Sequence, residues 1–474
     1  MKKLLFISLC IVSLLSRAEG LPDLGDISQE AISPLQERAI GEQSMYQIRA
    51  DKSYLDDSEI ADYLNTLGGI LVFNSSEPGQ PFEFFAINDN AINAFALPGG
   101  FIGVNTGLIL VSQSESELAS VLSHEISHVT QHHLARMVSG QKYDSLASVA
   151  LIAAAILAAR SNPDAAMATI VGVQAGGIQR QLNFTRVHEQ EADRIGLGIL
   201  QKSGFDVRAM PAFFERLQKS SRLLEGNTPA YLRTHPVTNE RIADIANRVQ
   251  QIPFHPVASS LDYYLVRAKL KTLQTTPQES IAYFSSALGN QKFGNPVAQR
   301  YGLVSALLLN HQYARAAEEF SPLSKLVQSN AMIATLAGHL RRAGAIKDNN
   351  IVEFFRTAMQ NFPQHRALVY DYCEILLQEK RYNEAVTLLN QQVIAHPNDP
   401  YLYDLQARTY SVLGRHQEEH HALAYNYILH GNLRGAIEQL ELAKHTGNSF
   451  QELSTIEAEL KQFREIAAAQ NRNP

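Results

Sequence analysis

The pattern of apolar and polar positions divides the chain into a mixed N-terminal half and a helical C-terminal half. Within residues 27–72, apolar side chains recur at three- and four-residue steps, which is the spacing of a buried helix face. Turn-forming residues at 74–81 end this region, and the apolar run 82–87 then predicts a β-strand. Residues 93–104 predict two further short strands, joined by the Pro-Gly-Gly turn at 98–100. We therefore expect a small sheet in a mainly helical domain.

The strand region is followed by a predicted helix whose first residues carry a capping signal. Ser114 and Glu117 have the S-x-x-E spacing at which a hydroxyl and a carboxylate cap a helix N-terminus. Apolar residues at helical spacing return at 183–204 and at 210–224, so two more helices are expected there.

One apolar run in this half has no polar face. Residues 146–159 are fourteen largely apolar positions, which are too few for a helix that spans a bilayer. The run therefore predicts a buried helix. Two alternatives stay open: a lid over a nearby site, hinged at Gly172, Gly176 and Gly177, and an amphipathic contact with a membrane surface.

The C-terminal half contains a repeat. Pro363 and Pro397 are 34 residues apart, and Ala317 and Ala385 share one position in a frame of that length. The frame starts units near residues 298, 332, 366, 400 and 434. A helical repeat of this length resembles the tetratricopeptide family, whose arrays form a superhelix with a concave face that binds peptides or proteins. An irregular helical domain is the alternative.

The N-terminus has the pattern of a secretory signal. Lys2 and Lys3 precede an apolar run at 4–15, and small residues follow within 17–20. The apolar run is too short to cross a bilayer. We therefore expect residues 1–20 to be removed, which leaves a periplasmic protein without a transmembrane anchor. A retained anchor is the alternative.

Length, charge and cysteine content narrow the possible classes of protein. A chain of 474 residues, 45% of them hydrophobic, is expected to form two or three globular domains. The net charge of −6 argues against a general nucleic-acid-binding protein. Once the signal is removed, Cys373 is the one remaining cysteine, so an intramolecular disulfide is excluded and the fold must rest on packed cores.

The predicted helix after Ser114 carries the motif H-E-I-S-H, with histidines at 124 and 128. On a helix, positions i and i+4 lie on one face, so His124 and His128 can both direct a ring nitrogen at one ion. Glu125 lies one step round the helix, where it can reach a water molecule without ligating the ion. This arrangement is typical of a hydrolytic zinc site, whereas a polar patch in a histidine-rich helix is the plainer alternative. We expect His132 and His133 to be supporting or surface residues.

A third ligand is predicted in the segment H-E-Q-E-A-D-R at 188–194. Glu189 and Asp193 share a helix face, whereas Glu191 points away from it. Glu189 can therefore ligate the ion, and Asp193 can hold a ligand histidine by its other ring nitrogen. A solvated acidic helix face is the alternative.

Further along the chain, His235 lies in a Thr-His-Pro segment and Arg241 follows six residues later. Either side chain can stabilise the oxyanion of a tetrahedral intermediate. His235 can instead close the metal site as a fourth ligand and so create an inhibited resting state. The sequence leaves this choice open, and an ordinary loop histidine is the alternative.

These features together resemble the M48 family of zinc metallopeptidases. They are the H-E-I-S-H helix, the Glu189 and Asp193 pair, the strand segment 93–100, and the His235 and Arg241 pair. The resemblance covers about residues 30–250 and implies a gluzincin-like fold with one zinc ion per chain. It assigns the metal ligands to His124, His128 and Glu189, the base to Glu125, and the family histidine beyond the third ligand to His235.

Pattern and resemblance together predict an α+β architecture in two domains. A mainly helical, gluzincin-like metallopeptidase domain with a small sheet is expected at 21–255, followed by an all-α tetratricopeptide-like repeat domain at 256–466. The export signal and the repeats narrow the resemblance to family members that cleave outer-membrane proteins stalled during assembly. It also implies partners in the barrel-insertion machinery and the lipopolysaccharide-transport barrel.

The predicted function is a zinc endopeptidase that degrades misassembled outer-membrane proteins and assists their assembly. In this prediction Glu125, His235, Arg241 and Asp193 serve catalysis, and the strand 82–87 pairs with the substrate backbone. The first alternative is a chaperone or assembly scaffold that acts through its repeats and carries a latent protease. A weaker alternative is a zinc hydrolase for a non-protein substrate.

Overall fold

The computed structural model describes residues 32–139, 178–223, 229–290, 294–446 and 450–472. The predicted signal segment 1–20 lies outside these ranges, and so do the apolar run 146–159 and the glycines proposed as its hinges. Within the described ranges, no helix has both the length and the apolar character that a membrane crossing requires.

Two N-terminal helices, α1 (Pro34–Ala50) and α2 (Ser58–Phe73), form where the sequence predicts a helical region at 27–72. The region is interrupted because Asp57 caps α2 with its carboxylate, which accepts hydrogen bonds from the backbone N–H groups of Glu59 and Ile60. A new helix therefore begins at Ser58, and the predicted helical region is divided into α1 and α2.

A three-stranded sheet follows, and its strands lie where the sequence predicts them. They are β1 (Glu83–Ile87), β2 (Ala94–Leu97) and β3 (Phe101–Asn105), in the order β1-β3-β2. β3 pairs in parallel with β1 and antiparallel with β2. The turn between β2 and β3 requires glycine: Gly99 has φ 75°, and a Cβ atom there would lie 2.5 Å from the Cα atom of Arg38.

The outer edge of β1 is already paired. The side chain of Asn65 on α2 donates a hydrogen bond to the carbonyl of Phe84 (2.7 Å) and accepts one from its N–H (3.0 Å). The N–H of Leu55 donates to the carbonyl of Ala86 at 3.0 Å. The expectation that strand 82–87 receives a substrate is therefore wrong for this fold, and the remaining edge of the sheet is β2.

The N-terminal part continues with seven helices in the described residues. These are α3 (Thr106–Val111), α4 (Glu115–Thr130), α5 (His133–Ser139), α6 (Ile178–Lys202), α7 (Ala209–Leu223), α8 (Ala230–Thr234) and α9 (Asn239–Gln250). Every residue of α4 except His128 is buried, because α2, β2, α6 and α7 all pack against it. The predicted cap of α4 is half formed: the Ser114 hydroxyl accepts from the N–H of Glu117, whose own carboxylate turns to Arg216.

The remaining described residues, apart from 251–260, form a series of helices. They are α10 (Leu261–Gln274), α11 (Pro277–Asn290), α12 (Pro296–Leu309), α13 (Tyr313–Phe320), the 3₁₀-helix Ser321–Leu326, α14 (Ala331–Arg342), α15 (Ile351–Asn361), α16 (Arg366–Gln378), α17 (Tyr382–Ala395), α18 (Pro400–Val412), α19 (His416–Leu429), α20 (Leu433–Thr446) and α21 (Phe450–Arg472). Helices begin at 296, 331, 366, 400 and 433, within two residues of the predicted repeat frame. The predicted α+β architecture with an all-helical repeat region is confirmed.

Charged side chains join the two parts at the N-terminal end of α2. The Lys269 ammonium of α10 lies 2.7 Å from the carboxylates of Asp57 and Glu59. On the other side, Arg366 of α16 lies 2.7 Å from Asp62. The helix that pins β1 through Asn65 is thus held at its N-terminal end by Lys269 and Arg366.

Candidate metal centre

Helices α4 and α6 cross closely and bring three predicted ligands together. The Nε2 atoms of His124 and His128 are 3.0 Å apart. Each lies 3.4 Å from a different carboxylate oxygen of Glu189, Oε2 for His124 and Oε1 for His128. The close crossing depends on Gly196 of α6, where a Cβ atom would lie 3.1 Å from the backbone nitrogen of His124.

The distances between these donor atoms fit a single metal ion. Bonds of about 2.0–2.1 Å in a tetrahedral zinc site hold neighbouring ligand atoms about 3.3 Å apart. His124, His128, Glu189 and His235 each offer an atom within a group whose members lie within 4.8 Å of one another. Two imidazoles, a carboxylate and a further imidazole form a donor set that suits zinc.

The charges around the group favour a cation. Burial alone would raise the pKa of Glu189, but His235 and the hydrogen bonds from His124 and His128 hold it well below its usual range. Burial would also lower the pKa of His124, yet its hydrogen bonds to Asp193 and Glu189 raise it to about 9. The carboxylates around His124 therefore favour a positive charge at this point. A bound metal ion would supply that charge in place of a proton on the ring.

Asp193 lies where the sequence places it, behind the first ligand. Its Oδ1 atom is 3.0 Å from Nδ1 of His124, so Nε2 of that ring is left free to face the donor group. Arg241 is buried and directs its guanidinium at Asp193, with Nε–Oδ2 and Nη2–Oδ1 distances of 2.7 and 2.8 Å. It also lies 2.8 Å from Glu189. Arg241 therefore contacts the two carboxylates that organise the site.

Glu125 lies beside the donor group and is 1% exposed. Burial raises the pKa of Glu125, although His235 and His124 act against the rise. The backbone N–H of Ala96 in β2 also donates a hydrogen bond to this carboxylate. A carboxylate with a raised pKa that touches the edge strand is suited to accept and return a proton.

His235 lies directly after α8 and contacts both carboxylates of the site. Its Nδ1 atom is 3.0 Å from Glu189, and its Nε2 atom is 3.5 Å from Glu125. The ring of Tyr231, one helical turn earlier, stacks on His235 with centroids 4.9 Å apart. Sequence reasoning missed Tyr231, although its position four residues before His235 is the available signal.

The two histidines after the motif have different surroundings. His132 lies between Glu37 and Glu77, away from the donor group. His133 is buried, and its Nδ1 atom lies 2.8 Å from Nδ1 of His128. Burial lowers the pKa of His128 to about 4, and burial together with His128 lowers that of His133 to about 3. Both rings are therefore neutral near pH 7.

Several known proteins have sequences similar to this one. Residues 61–249 match peptidase family M48, and residues 349–409 match the tetratricopeptide repeat. The beta-barrel assembly-enhancing protease of Yersinia pestis is 34% identical over 425 residues, which are 90% of this chain and 87% of that protein. The protein of the same name from Escherichia coli (strain K12) is 34% identical over 429 residues, with the same coverage of both chains. The chain belongs to peptidase family M48.

Membership of the M48 family makes the chain a metalloendopeptidase. The matched region runs from α2 to α9 and therefore contains all of the donor group. A shorter relative, the metalloprotease LoiP of Escherichia coli (strain K12), is 24% identical over 256 residues, which are 52% of this chain and 96% of that protein. The M48 relatives thus include a protein about half as long as this one.

Proposed function

We propose that this M48 peptidase is a zinc enzyme of the periplasm that degrades misassembled outer-membrane proteins and assists the assembly of others. One observation carries the proposal: two imidazole nitrogens and the carboxylate of Glu189 converge at 3.0–3.4 Å beside the buried carboxylate of Glu125. This is the donor set of a hydrolytic zinc site with an adjacent base. The relatives named beta-barrel assembly-enhancing protease support the substrate class.

In this proposal His124, His128 and Glu189 hold the ion. A bound zinc ion supplies Lewis acidity, which polarises the scissile carbonyl and makes a nearby water more acidic. Glu125 accepts the proton of the attacking water and returns it to the leaving amine. Arg241 keeps Asp193 and Glu189 ionised and in position, so its role is indirect.

His235 completes the donor group in the resting enzyme under this proposal. Its Nδ1 atom touches Glu189, and its ring is supported by Tyr231. A substrate must then displace His235 before cleavage, which would keep the protease latent until a suitable chain arrives. Once displaced, the ring is free to stabilise the oxyanion.

The substrate backbone is proposed to pair with β2. The strands β2 and β3 are antiparallel, and the N–H of Asn105 donates to the carbonyl of Asn93. In this register the backbone groups of Ala94 and Ala96 point away from β3. The N–H of Ala96 already donates to Glu125, so the groups proposed to pair with a substrate are those of Ala94 and the carbonyl of Ala96. Pairing with these groups would select extended chain without regard to side chains, which suits unfolded substrates.

The proposal also divides the chain at residue 255 into a peptidase domain, 21–255, and a repeat domain, 256–466. Residues 251–260 contain neither helix nor strand, which supports a boundary there. The repeats would bind partners of the barrel-assembly and lipopolysaccharide-transport machinery, because stacked helical repeats expose extended binding faces.

Elemental analysis together with cleavage of an unfolded outer-membrane protein tests the proposal. We expect one zinc per chain in the wild type and in Glu125→Gln, with cleavage reduced about 10²–10⁴-fold in the variant because the base is lost. Glu240→Gln, which changes an exposed carboxylate on α9, is the matched control and should retain full activity. A zinc-free wild type, or an active Glu125→Gln enzyme, would refute the proposed mechanism.

An assembly scaffold with a latent protease is the second candidate, because His235 joins the donor group and residues 349–409 match the tetratricopeptide repeat. The Glu125→Gln enzyme distinguishes the two functions in cells that lack the wild-type gene. Restored barrel assembly would favour the scaffold, whereas a persistent assembly defect would favour proteolysis as the main activity.

A further inference from the structure

The chain reverses direction directly after the motif helix. His132 has φ 49°, a left-handed conformation that residues other than glycine seldom adopt. This turn ends α4, and α5 starts at His133. The side chain of His133 contacts Nδ1 of His128, the ring nitrogen that does not face the donor group. The strained turn thus serves to place one ring behind a proposed metal ligand.

The atoms at this point define a chain of hydrogen bonds. If His128 ligates through Nε2, its Nδ1 atom carries the proton and donates to Nδ1 of His133 across 2.8 Å. His133 must then carry its own proton on Nε2, which lies 3.2 Å from a carboxylate oxygen of Glu191. Arg136 donates to the same oxygen at 2.9 Å. Each group has the donor or acceptor that its neighbour needs.

The His133 ring is also fixed in orientation. It is 3% exposed and lies flat against the ring of His188, with centroids 4.2 Å apart and an angle of 1° between the planes. His188 and Glu191 both belong to α6, the helix that supplies Glu189. The contact therefore ties the second histidine of the motif to the helix of the third ligand.

We infer that His133 is a positioning residue for metal binding, which fixes the tautomer and orientation of His128 through a relay to Glu191 and Arg136. The inference rests on the proposed zinc site. Asp193 contacts His124 in the equivalent way, so each histidine of the motif has a partner behind it. Loss of such a partner typically weakens metal affinity 10- to 100-fold.

The test is the zinc dissociation constant of the full chain, measured by competition with a chromophoric chelator. His133→Phe keeps the stacked ring but removes the acceptor, and we expect a loss of affinity of at least about tenfold. His133→Asn returns an acceptor near the position of Nδ1 and should recover most of the affinity. His132→Asn, a neighbour that contacts Glu37 and Glu77 instead, should bind zinc like the wild type.

The absorption spectrum of the cobalt(II)-substituted chain gives a second readout, which is independent of proteolysis. We expect the d–d bands to shift in His133→Phe and to return in His133→Asn. Wild-type affinity and an unshifted spectrum in His133→Phe would overturn the inference and leave the zinc site intact. A wild type that binds no zinc would instead refute the proposed function.

Circular dichroism of the metal-free chains establishes whether His133→Phe folds. If it does not, Glu191→Gln provides the decision, because it leaves both rings in place and weakens only the far end of the relay. A loss of zinc affinity of about threefold or more in Glu191→Gln would support the relay. An unchanged affinity would overturn it.

Discussion

At the residue scale, His132 holds the turn that follows the motif helix. Its ring lies 3.7 Å from a carboxylate oxygen of Glu37 on α1 and hydrogen-bonds to Glu77 at 3.3 Å, and these carboxylates raise the pKa of His132 to about 10 although burial opposes the rise. The charged imidazole thus ties α1 and the 74–81 turn to the end of α4.

This ion pair predicts a stability that falls as the solution becomes alkaline. Because the folded-state pKa lies above the ordinary value of 6.5, the contribution is complete below pH 6.5 and is lost as the pH rises to about 10. Urea unfolding of the wild type and of His132→Asn at pH 6.5 and pH 10 measures it. Asparagine tolerates the left-handed backbone, so the variant isolates the charge. A wild-type advantage that is equal at both pH values would contradict the assignment.

Residue positions were predictable where one helix holds both partners. His124 and His128 follow from the i, i+4 rule, and so does the shared face of Glu189 and Asp193. The place of His133 was not predictable, since it depends on a left-handed residue at 132. The sequence indicated only that His133 is a supporting or surface residue.

At the element scale, the crossing of α4 and α6 determines the geometry of the site. Gly196 allows the contact, because a Cβ atom there would lie 3.1 Å from three backbone atoms of His124 and Ser123. Gly198, on the same helix, has no atom within 4 Å of its corresponding position. The two glycines therefore differ in their surroundings but share their helical conformation.

We expect Gly196→Val to separate the two helices, which would destabilise the fold by about 1–3 kcal/mol through overpacking and weaken zinc binding. Gly198→Ala is the matched control and should stabilise the helix by about 0.5–1 kcal/mol, since alanine is the better helix former. Thermal unfolding and zinc titration of both variants provide the measurement. Wild-type behaviour of Gly196→Val would show that the close crossing is not required.

The strands illustrate what local patterns omit. The apolar run at 82–87 and the Pro-Gly-Gly turn predicted all three strands, but not which edge is open. The side chain of Asn65 on α2 occupies the outer edge of β1 by hydrogen-bonding to the backbone of Phe84, 19 residues later in the sequence. A single asparagine of this kind creates no repeating sequence pattern that would predict the contact. The cap at Asp57, which divides the predicted helical region, is likewise a single-residue effect.

At the scale of the whole molecule, the two parts meet through charges that are largely buried. Glu59 is 3% exposed and is paired with Lys269 and with His365. Burial would raise the pKa of Glu59, but Lys269 and His365 hold it well below its usual range. The stabilisation is therefore present above the ordinary pKa of a glutamate and is lost as the pH falls below it.

Replacement of Lys269 by methionine should remove the cation shared by Asp57 and Glu59, leave Glu59 with His365 as its remaining partner, and destabilise the chain by about 3–5 kcal/mol. Arg434→Met, which breaks an exposed pair with Glu438, is the control and should change stability by less than about 1 kcal/mol. Denaturant unfolding measures both variants, and limited proteolysis near 251–260 reports whether the parts have separated. Equal stabilities of the two variants would refute a structural role for this contact.

The repeat frame was predictable from the sequence to within two residues, because stacked helices impose a fixed period. The contact between the two parts was not predictable from the sequence, because Asp57, Glu59 and Asp62 follow the ordinary pattern of a polar helix face. Their partners Lys269 and Arg366 lie on separate helices, and no local pattern connects them.

The pairing of Asp62 with Arg366 spans 304 residues, and this separation has a consequence for the order of events during biosynthesis. A chain is made from its N-terminus, so the α2 carboxylates emerge long before the cations that neutralise them. Until then they remain hydrated, and α2, which also pins the sheet through Asn65, lacks its final support. We therefore expect the contacts that support α2 from the repeat region to form only after that region has been made.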